Sequence, residues 1–154
     1  MIRIGVFSDS HGQIDLFEKA VRQLNNVCAI VHLGDCATDA FEVVKRTGRE
    51  IITLNGNCDL LSREPLFRIL EFEGKRLYLT HGHREHVKME MTRLFYRAEE
   101  EGADAVLFGH THIPAFKEIG GVAFLNPGAM KDGRHSILKI ENGRITAEFL
   151  RTEI

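Results

Sequence analysis

Cysteine is too scarce in this chain, and too irregularly placed, to build a disulfide framework. There are three, an odd number with no paired spacing, which points to a reducing compartment and to the cytoplasm as the default location. Cys28 sits in an apolar stretch and reads as a core residue. Apolar runs are short as well: none approaches the roughly 20 residues needed to span a bilayer. The opening Met1-Ile2-Arg3-Ile4-Gly5-Val6-Phe7 reaches polar Ser8 too soon for a signal peptide and reads as a first strand. An excess of charge is also missing. The formal net charge is -2, so no basic field favours a stable nucleic-acid partner. No G-x-x-x-x-G-K loop occurs, so nothing suggests ATP use. Repeats, low-complexity tracts and linkers are absent too. What remains, 154 residues of which 44% are hydrophobic and 27% charged, suits one globular domain (1–154) with a real core.

The apolar pattern predicts an α/β chain. Ile2–Phe7 enters the loop Ser8–Gly12, and Ile14, Leu16, Phe17, Val21 and Leu24 then recur at helical spacing up to Asn25-Asn26. Val27–Leu33 reads as strand two, a helix through Phe41, Val43 and Val44 stops at Gly48, and Ile51–Leu54 is strand three. This βαβαβ order indicates a mostly parallel sheet. The second half favours hairpins: Leu66–Phe72 with Lys75–Thr80, then strands around Gly120-Gly121, Lys131-Asp132-Gly133 and Asn142-Gly143. A helix over Met89–Glu101 and a strand over Ala105–Phe108 lie between. Two packed sheets with helices outside follow from that order.

Polar residues then recur where strands end. Asp9-Ser10-His11, Gly34-Asp35, Gly56-Asn57-Cys58-Asp59, Thr80-His81-Gly82-His83 and Gly109-His110-Thr111-His112 all follow apolar runs, four of them directly. The carboxyl ends of strands are where open α/β sheets build sites. In an extended segment residues i and i+2 share a side, which would let Asp9 and His11 meet one ion. Gly34 permits a sharp turn that lifts Asp35, and a carboxylate, unlike an imidazole, can bridge two cations. Gly109 is expected to supply another tight turn before His110 and His112. Imidazole with Asp and Asn oxygens suits Mn, Fe, Ni or Zn. Blander roles compete at several positions: a helix N-cap for Asp9 or Asp39, turn formation for Asn57, a core place for His32, and the surface for His86 and His135.

As an ordered set, D-x-H, G-D, G-N-x-D, H-G-H and G-H-T-H resembles the calcineurin-like metallophosphoesterase superfamily, and more narrowly its YfcE-type phosphodiesterases. Asn126-Pro127-Gly128 extends the resemblance over nearly the whole chain. It implies a four-layer α/β sandwich of two mixed β-sheets flanked by α-helices. It also implies two divalent metal ions, taken as Mn with Ni, Fe or Zn as alternatives. Asp9, His11 and His112 would hold the first, Asn57, His81 and His110 the second, and Asp35 would bridge them. A bridging hydroxide would then attack the phosphorus of a small or nucleotide-like phosphodiester. Many relatives carry His at the position where this chain, like the YfcE-type proteins it resembles, has Cys (Cys58). That leaves the leaving-group acid to His83 or Asp59, with Cys58 a third candidate. Arg63, Arg84 and Lys88 could meet phosphate, a solvated loop being the plainer reading.

The competing readings are a phosphomonoesterase acting on a nucleotide or protein, and a non-catalytic scaffold resembling the retromer subunit Vps29. Against the scaffold, every expected ligand side chain is present. Exposed apolar residues such as Phe67 and Phe116 could support a homo-oligomer.

Overall fold

Ile2–Phe7 forms β1, and its alternation decides how the layers stack. Ile4 and Val6 point one way and are fully buried against a second sheet, whereas Phe7 points the other way, under helices. The computed structural model describes residues 1–153. After β1 come α1 (Ile14–Gln23), β2 (Ala29–His32), α2 (Ala37–Thr47) and β3 (Ile52–Thr53), the expected βαβαβ order. Then follow β4 (Phe67–Phe72), β5 (Lys75–Thr80), α3 (Thr92–Glu101), β6 (Ala105–Leu107), β7 (Ala115–Ile119), β8 (Val122–Asn126), β9 (Arg134–Glu141) and β10 (Arg144–Arg151).

These strands make two mixed five-stranded sheets, ordered β10-β9-β1-β2-β3 and β4-β5-β6-β8-β7. In the first, β1, β2 and β3 are parallel while β9 and β10 run antiparallel; in the second, β5, β6 and β8 are parallel and β4 and β7 antiparallel. The sheets meet through Ile4, Val6, Val31 and Leu33 on one side and Leu77, Leu79, Leu107 and Leu125 on the other. Burying each such side chain stabilises the fold by about 1.5–3 kcal/mol. On the outer face of the first sheet, Phe7 and Ile30 pack against Phe17, Val21 and Val43 of α1 and α2. On the outer face of the second, Tyr78, Val106 and Phe124 pack against Leu94 and Ala98 of α3. The expected four-layer α/β sandwich is therefore observed. Among the described residues no helix is long and apolar enough to cross a membrane.

Local signals held where they were chemical. Gly48 caps α2 at φ 72°, and Asn142-Gly143 turns between β9 and β10 with positive φ at both residues (52° and 75°), as a tight hairpin requires. Several expectations need correction. Lys131-Asp132-Gly133 does not turn one hairpin; a 3-10 turn at Met130–Asp132 carries the chain from one sheet to the other. It is held there because the Met130 and Lys131 N–H groups donate to the Ser8 and Asp9 carbonyls. α3 starts at Thr92, not Met89, since the Val87 N–H donates to Gly82 and that of Met89 to His86, which coils the preceding segment separately. Cys28 is exposed just ahead of β2, not in the core. His135 is buried, not at the surface: β9 places its ring 4.8 Å from that of Phe7, stacked at 10°. Phe116 is half-buried on the inner core, while Phe67 is exposed and stacks on Tyr78.

Candidate metal centre

The loops after β1, β2, β5 and β6 open at one end of the sandwich, and their backbones are not extended. Asp9 (φ 54°), His11 (43°), Asp35 (62°), His110 (70°) and His112 (64°) all occupy left-handed conformations. The expected pleat of an extended segment is therefore not what brings Asp9 and His11 together: Asp9 Oδ1 lies 3.6 Å from His11 Nε2 through a curled loop. That curl is set by the Asp9 N–H, which donates to Gly34 O at 2.9 Å. Left-handed backbone costs about 1–2 kcal/mol at each such residue and persists where surroundings enforce it.

Two three-residue groups result. Asp9, His11 and His112 form one, and Asp35, His81 and His110 the other, with ligand atoms within 4.8 Å of one another in each group. His112 Nε2 lies 3.1 Å from Asp9 Oδ1. Asp35 Oδ2 lies 3.3 Å from His81 Nε2 and 3.6 Å from His11 Nε2, so it reaches both groups. Asp9 Oδ1 is 3.7 Å from His81 Nε2, which draws the two groups into one cluster.

Cation fit rests on unpartnered nitrogens. His11 Nε2 and His81 Nε2 are buried and make no aligned hydrogen bond. The Nδ1 of His81 lies 2.8 Å from the Leu33 carbonyl. A carbonyl only accepts, so Nδ1 carries the proton and Nε2 presents a lone pair, the arrangement that metal-binding histidines adopt. The field has the matching sign. Burial opposes ionisation of Asp35, yet His81, the Cys58 N–H and His11 outweigh it and hold its carboxyl well below the usual range. Burial likewise opposes charge on His81, but Asp35 and Asp9 prevail and raise its pKa. Burial and His81 push His110 down to about 4, leaving it neutral and able to ligate at ordinary pH. A divalent cation fits these donors.

Glycines make the crowding possible. A Cβ on Gly109 would collide with Ser8 Oγ and fall 2.6 Å from Asp9 Oδ2. Gly109 therefore gives room rather than the turn expected of it; the positive φ belongs to His110. Gly34, at φ +99°, does supply a turn, and any Cβ there would sit 2.6 Å from Gly56 N.

Several residues position the site through contacts that no local sequence signal gives. Asp59 Oδ2 accepts from the Asp35 and Gly56 N–H groups at 2.8 and 2.7 Å, and Oδ1 accepts from Ala37 at 2.7 Å. Asp59 thus clamps the Asp35 loop and satisfies the start of α2, rather than facing a leaving group. Asp39, expected to cap α2, lies inside it and accepts from Gly12 N at 2.7 Å. Ser8 Oγ donates to Asp9 Oδ2 at 2.5 Å. His32 is the expected core residue, stacked on Phe17 and 3.0 Å from Ser10 Oγ. Asn126 Nδ2 donates to Gly109 O (3.1 Å) and Thr111 Oγ1 (2.9 Å), holding the loop that bears His110 and His112. Its membership of Asn126-Pro127-Gly128 was the one clue available.

Other expected site residues are less buried. Asn57 is exposed, its amide 3.5 Å from Cys58 Sγ. Cys58 is exposed too; its backbone N–H donates to Asp35 Oδ1 at 3.0 Å, and burial and Asp35 raise its thiol pKa, which argues against a reactive thiolate. The His83 ring is 5.5 Å from that of His81 and 6.2 Å from that of His110. Arg63, Arg84 and Lys88 are exposed, whereas Glu85 is buried and accepts from Thr80 Oγ1 at 2.6 Å.

The comparisons agree with this geometry. Residues 2–140 match the calcineurin-like phosphoesterase superfamily domain. The chain belongs to that superfamily. It is 32% identical to the probable metallophosphoesterase YsnB of Bacillus subtilis, over 94% of this chain and 88% of that one. Phosphodiesterase MJ0936 of Methanocaldococcus jannaschii is 30% identical over 82% and 83%, and phosphodiesterase YfcE of Escherichia coli 25% over 84% and 80%. A predicted phosphoesterase from Streptococcus pneumoniae superposes with a TM-score of 0.83 at 27% identity, covering 97% of this chain and 89% of the other. Vps29 of Entamoeba histolytica superposes at 0.78 with 19% identity, covering 97% and 99%, which is a likeness of fold. As a member of the superfamily the chain is a metal-dependent phosphoric ester hydrolase.

Proposed function

We propose that this hydrolase is a two-cation phosphodiesterase acting on small or nucleotide-like phosphodiesters. The observation that carries the reading is the place of Asp35, whose Oδ2 faces one imidazole from each three-residue group, 3.6 Å from His11 and 3.3 Å from His81. In this reading Asp9, His11 and His112 hold one cation, Asn57, His81 and His110 the other, and Asp35 both. When bound, such a pair supplies Lewis acidity toward phosphate and an acidified water. The chain's own part is to orient and to balance charge. Leu33 fixes the His81 ring, Asn126 fixes the His110–His112 loop, and the Cys58 N–H holds the second Asp35 oxygen. His83 is the acid we retain for the leaving group, because Asp59 is committed to backbone N–H groups.

Mixed nitrogen and oxygen donors suit Mn, with Ni, Fe or Zn as alternatives. We take residues 1–154 as one domain and, from the three free cysteines, the cytoplasm as its location. If the chain self-associates, exposed Phe67 on edge strand β4 is the residue we would expect at the contact. The deciding experiment compares bis-p-nitrophenyl phosphate with p-nitrophenyl phosphate under added Mn²⁺. Faster turnover of the diester is expected; faster turnover of the monoester would favour a phosphomonoesterase instead.

A further inference from the structure

The second sheet leaves part of its outer face uncovered, beside the metal centre. α3 packs over β5, β6 and β8, and a groove of about 240 Å³ lies between it and edge strand β7. Phe95, Phe108 and Phe124 form its floor, with the Phe95 and Phe124 rings edge to face at 5.0 Å. Lys117 is the one charged residue lining it among the described residues.

The fold places one end of this groove at the ligand loops. Ala115 pairs with Asn126, and Asn126 itself holds Gly109 and Thr111. Thr111 stands between His110 and His112 in the chain, Ile113 follows directly, and both line the groove. Met91, also in the lining, ends the segment that starts at His81.

The segments that carry candidate ligands also hold exposed apolar side chains. The barest large apolar side chains among the described residues are Leu61 (94% exposed), Leu60 (89%), Met89 (83%) and Ile113 (65%). All four sit on the segments that carry candidate ligands. These segments are pinned, since Asn55 Nδ2 donates to Ser62 O at 2.8 Å and Met89 N to His86 O at 2.9 Å. Of the four, Ile113 lines the groove, so its bare side chain is placed to meet a ligand there.

We propose that the groove between α3 and β7 is the subsite for an unadorned aromatic ring esterified to the phosphate, which rests on the phosphodiesterase reading above. The volume suits a single ring, since a dry cavity of roughly 150 Å³ already accepts benzene. Lys117, the one charged residue of the described lining, is a cation and so does not repel an anionic diester. A nucleobase is the poorer fit: among the described residues Thr111 and Lys117 are the only polar side chains of the lining, and the Thr111 oxygen already accepts from Asn126 Nδ2 and from the Ile113 N–H, which leaves its single O–H to meet the several polar edge atoms of a base.

The test uses three diesters sharing p-nitrophenolate as leaving group, with phenyl, methyl or thymidine 5′ as the other ester. The metal-loaded protein is expected to prefer phenyl over methyl by about tenfold in kcat/KM, with thymidine no better than methyl. Ala115→Trp, which fills the groove, should bring the phenyl-to-methyl ratio close to one. A ratio near one in the unaltered protein, a preference for thymidine, or a ratio untouched by Ala115→Trp would overturn the assignment. If no diester is hydrolysed while a monoester is, the phosphodiesterase reading fails by itself. The groove is then judged by amide NMR shifts in the Zn²⁺-loaded protein with phenylphosphonate and methylphosphonate. Shifts at Ile113, Ala115 and Ile119 specific to the phenyl compound support it, and their absence overturns it.

Discussion

His81 gives one ring nitrogen to Leu33 and keeps the other for the centre: Nδ1 donates to the Leu33 carbonyl at 2.8 Å, and Nε2 is left 3.3 Å from Asp35. Leu33 follows β2 in one sheet and His81 follows β5 in the other, so this bond keys the two sheets together at the site. The residues around that key can each be tested.

Asp35→Ala should remove both cations and reduce hydrolysis to background, measured by elemental analysis after gel filtration. Cys58→Ala should leave metal content intact, because the contact to Asp35 is made by the backbone N–H, which alanine retains. Two tightly held cations in Asp35→Ala would show that the bridging assignment is wrong.

Asp59→Ala should destabilise the fold by about 2–4 kcal/mol, since three backbone N–H groups, one of them at the start of α2, lose their acceptor. Urea unfolding measures this. An unchanged midpoint together with lost activity would return Asp59 to the role of leaving-group acid.

Asn126→Ala should weaken metal binding by about 10–100-fold without touching a ligand, because it frees the loop that carries His110 and His112. Competition against a calibrated chelator reads the change. Unaltered affinity would mean that Thr111 and Gly109 are held well enough by their backbone.

Acid should destabilise the metal-free protein partly through His32. Burial pushes its folded pKa down to about 4, against about 6.5 when unfolded. Below about pH 6.5 the unfolded chain takes a proton that the native ring refuses, so stability falls until about pH 4, by about 3 kcal/mol in all. His110, also near 4, and His135, lowered by burial, add to this slope; His81, with a raised pKa, opposes it. The difference in slope between the unaltered protein and His32→Gln isolates the His32 share. Equal slopes would show that His32 does not stay neutral.

Much of the fold was legible because it rests on local rules. A short apolar run located β1, the hairpin pattern located β4 and β5, helical spacing located α1, and the Asn-Gly pair marked the turn at Asn142-Gly143. Reading failed where a long-range contact overrode the local pattern. Met130 and Lys131 bind the Ser8–Asp9 backbone, so a stretch that looked like a hairpin became a crossover between sheets. Cys28 fell outside the core because β2 begins only at Ala29, and His135 fell inside it because neighbouring sequence does not reveal that β9 turns this residue toward Phe7.

The candidate ligands themselves follow from residue type and order: Asp and His at strand ends, with glycines where space is short. Strand pairing decided which of them meet. Asp9 and His112 are 103 residues apart in the chain and 3.1 Å apart in space; His81 and Leu33 are separated by 48 residues. Chemistry is carried by each residue and can be read one position at a time. Proximity across two sheets depends on the strand order β10-β9-β1-β2-β3 facing β4-β5-β6-β8-β7, and only the folded chain supplies it. The role of Asp59 as a clamp, and the groove beside β7, belong to that second kind.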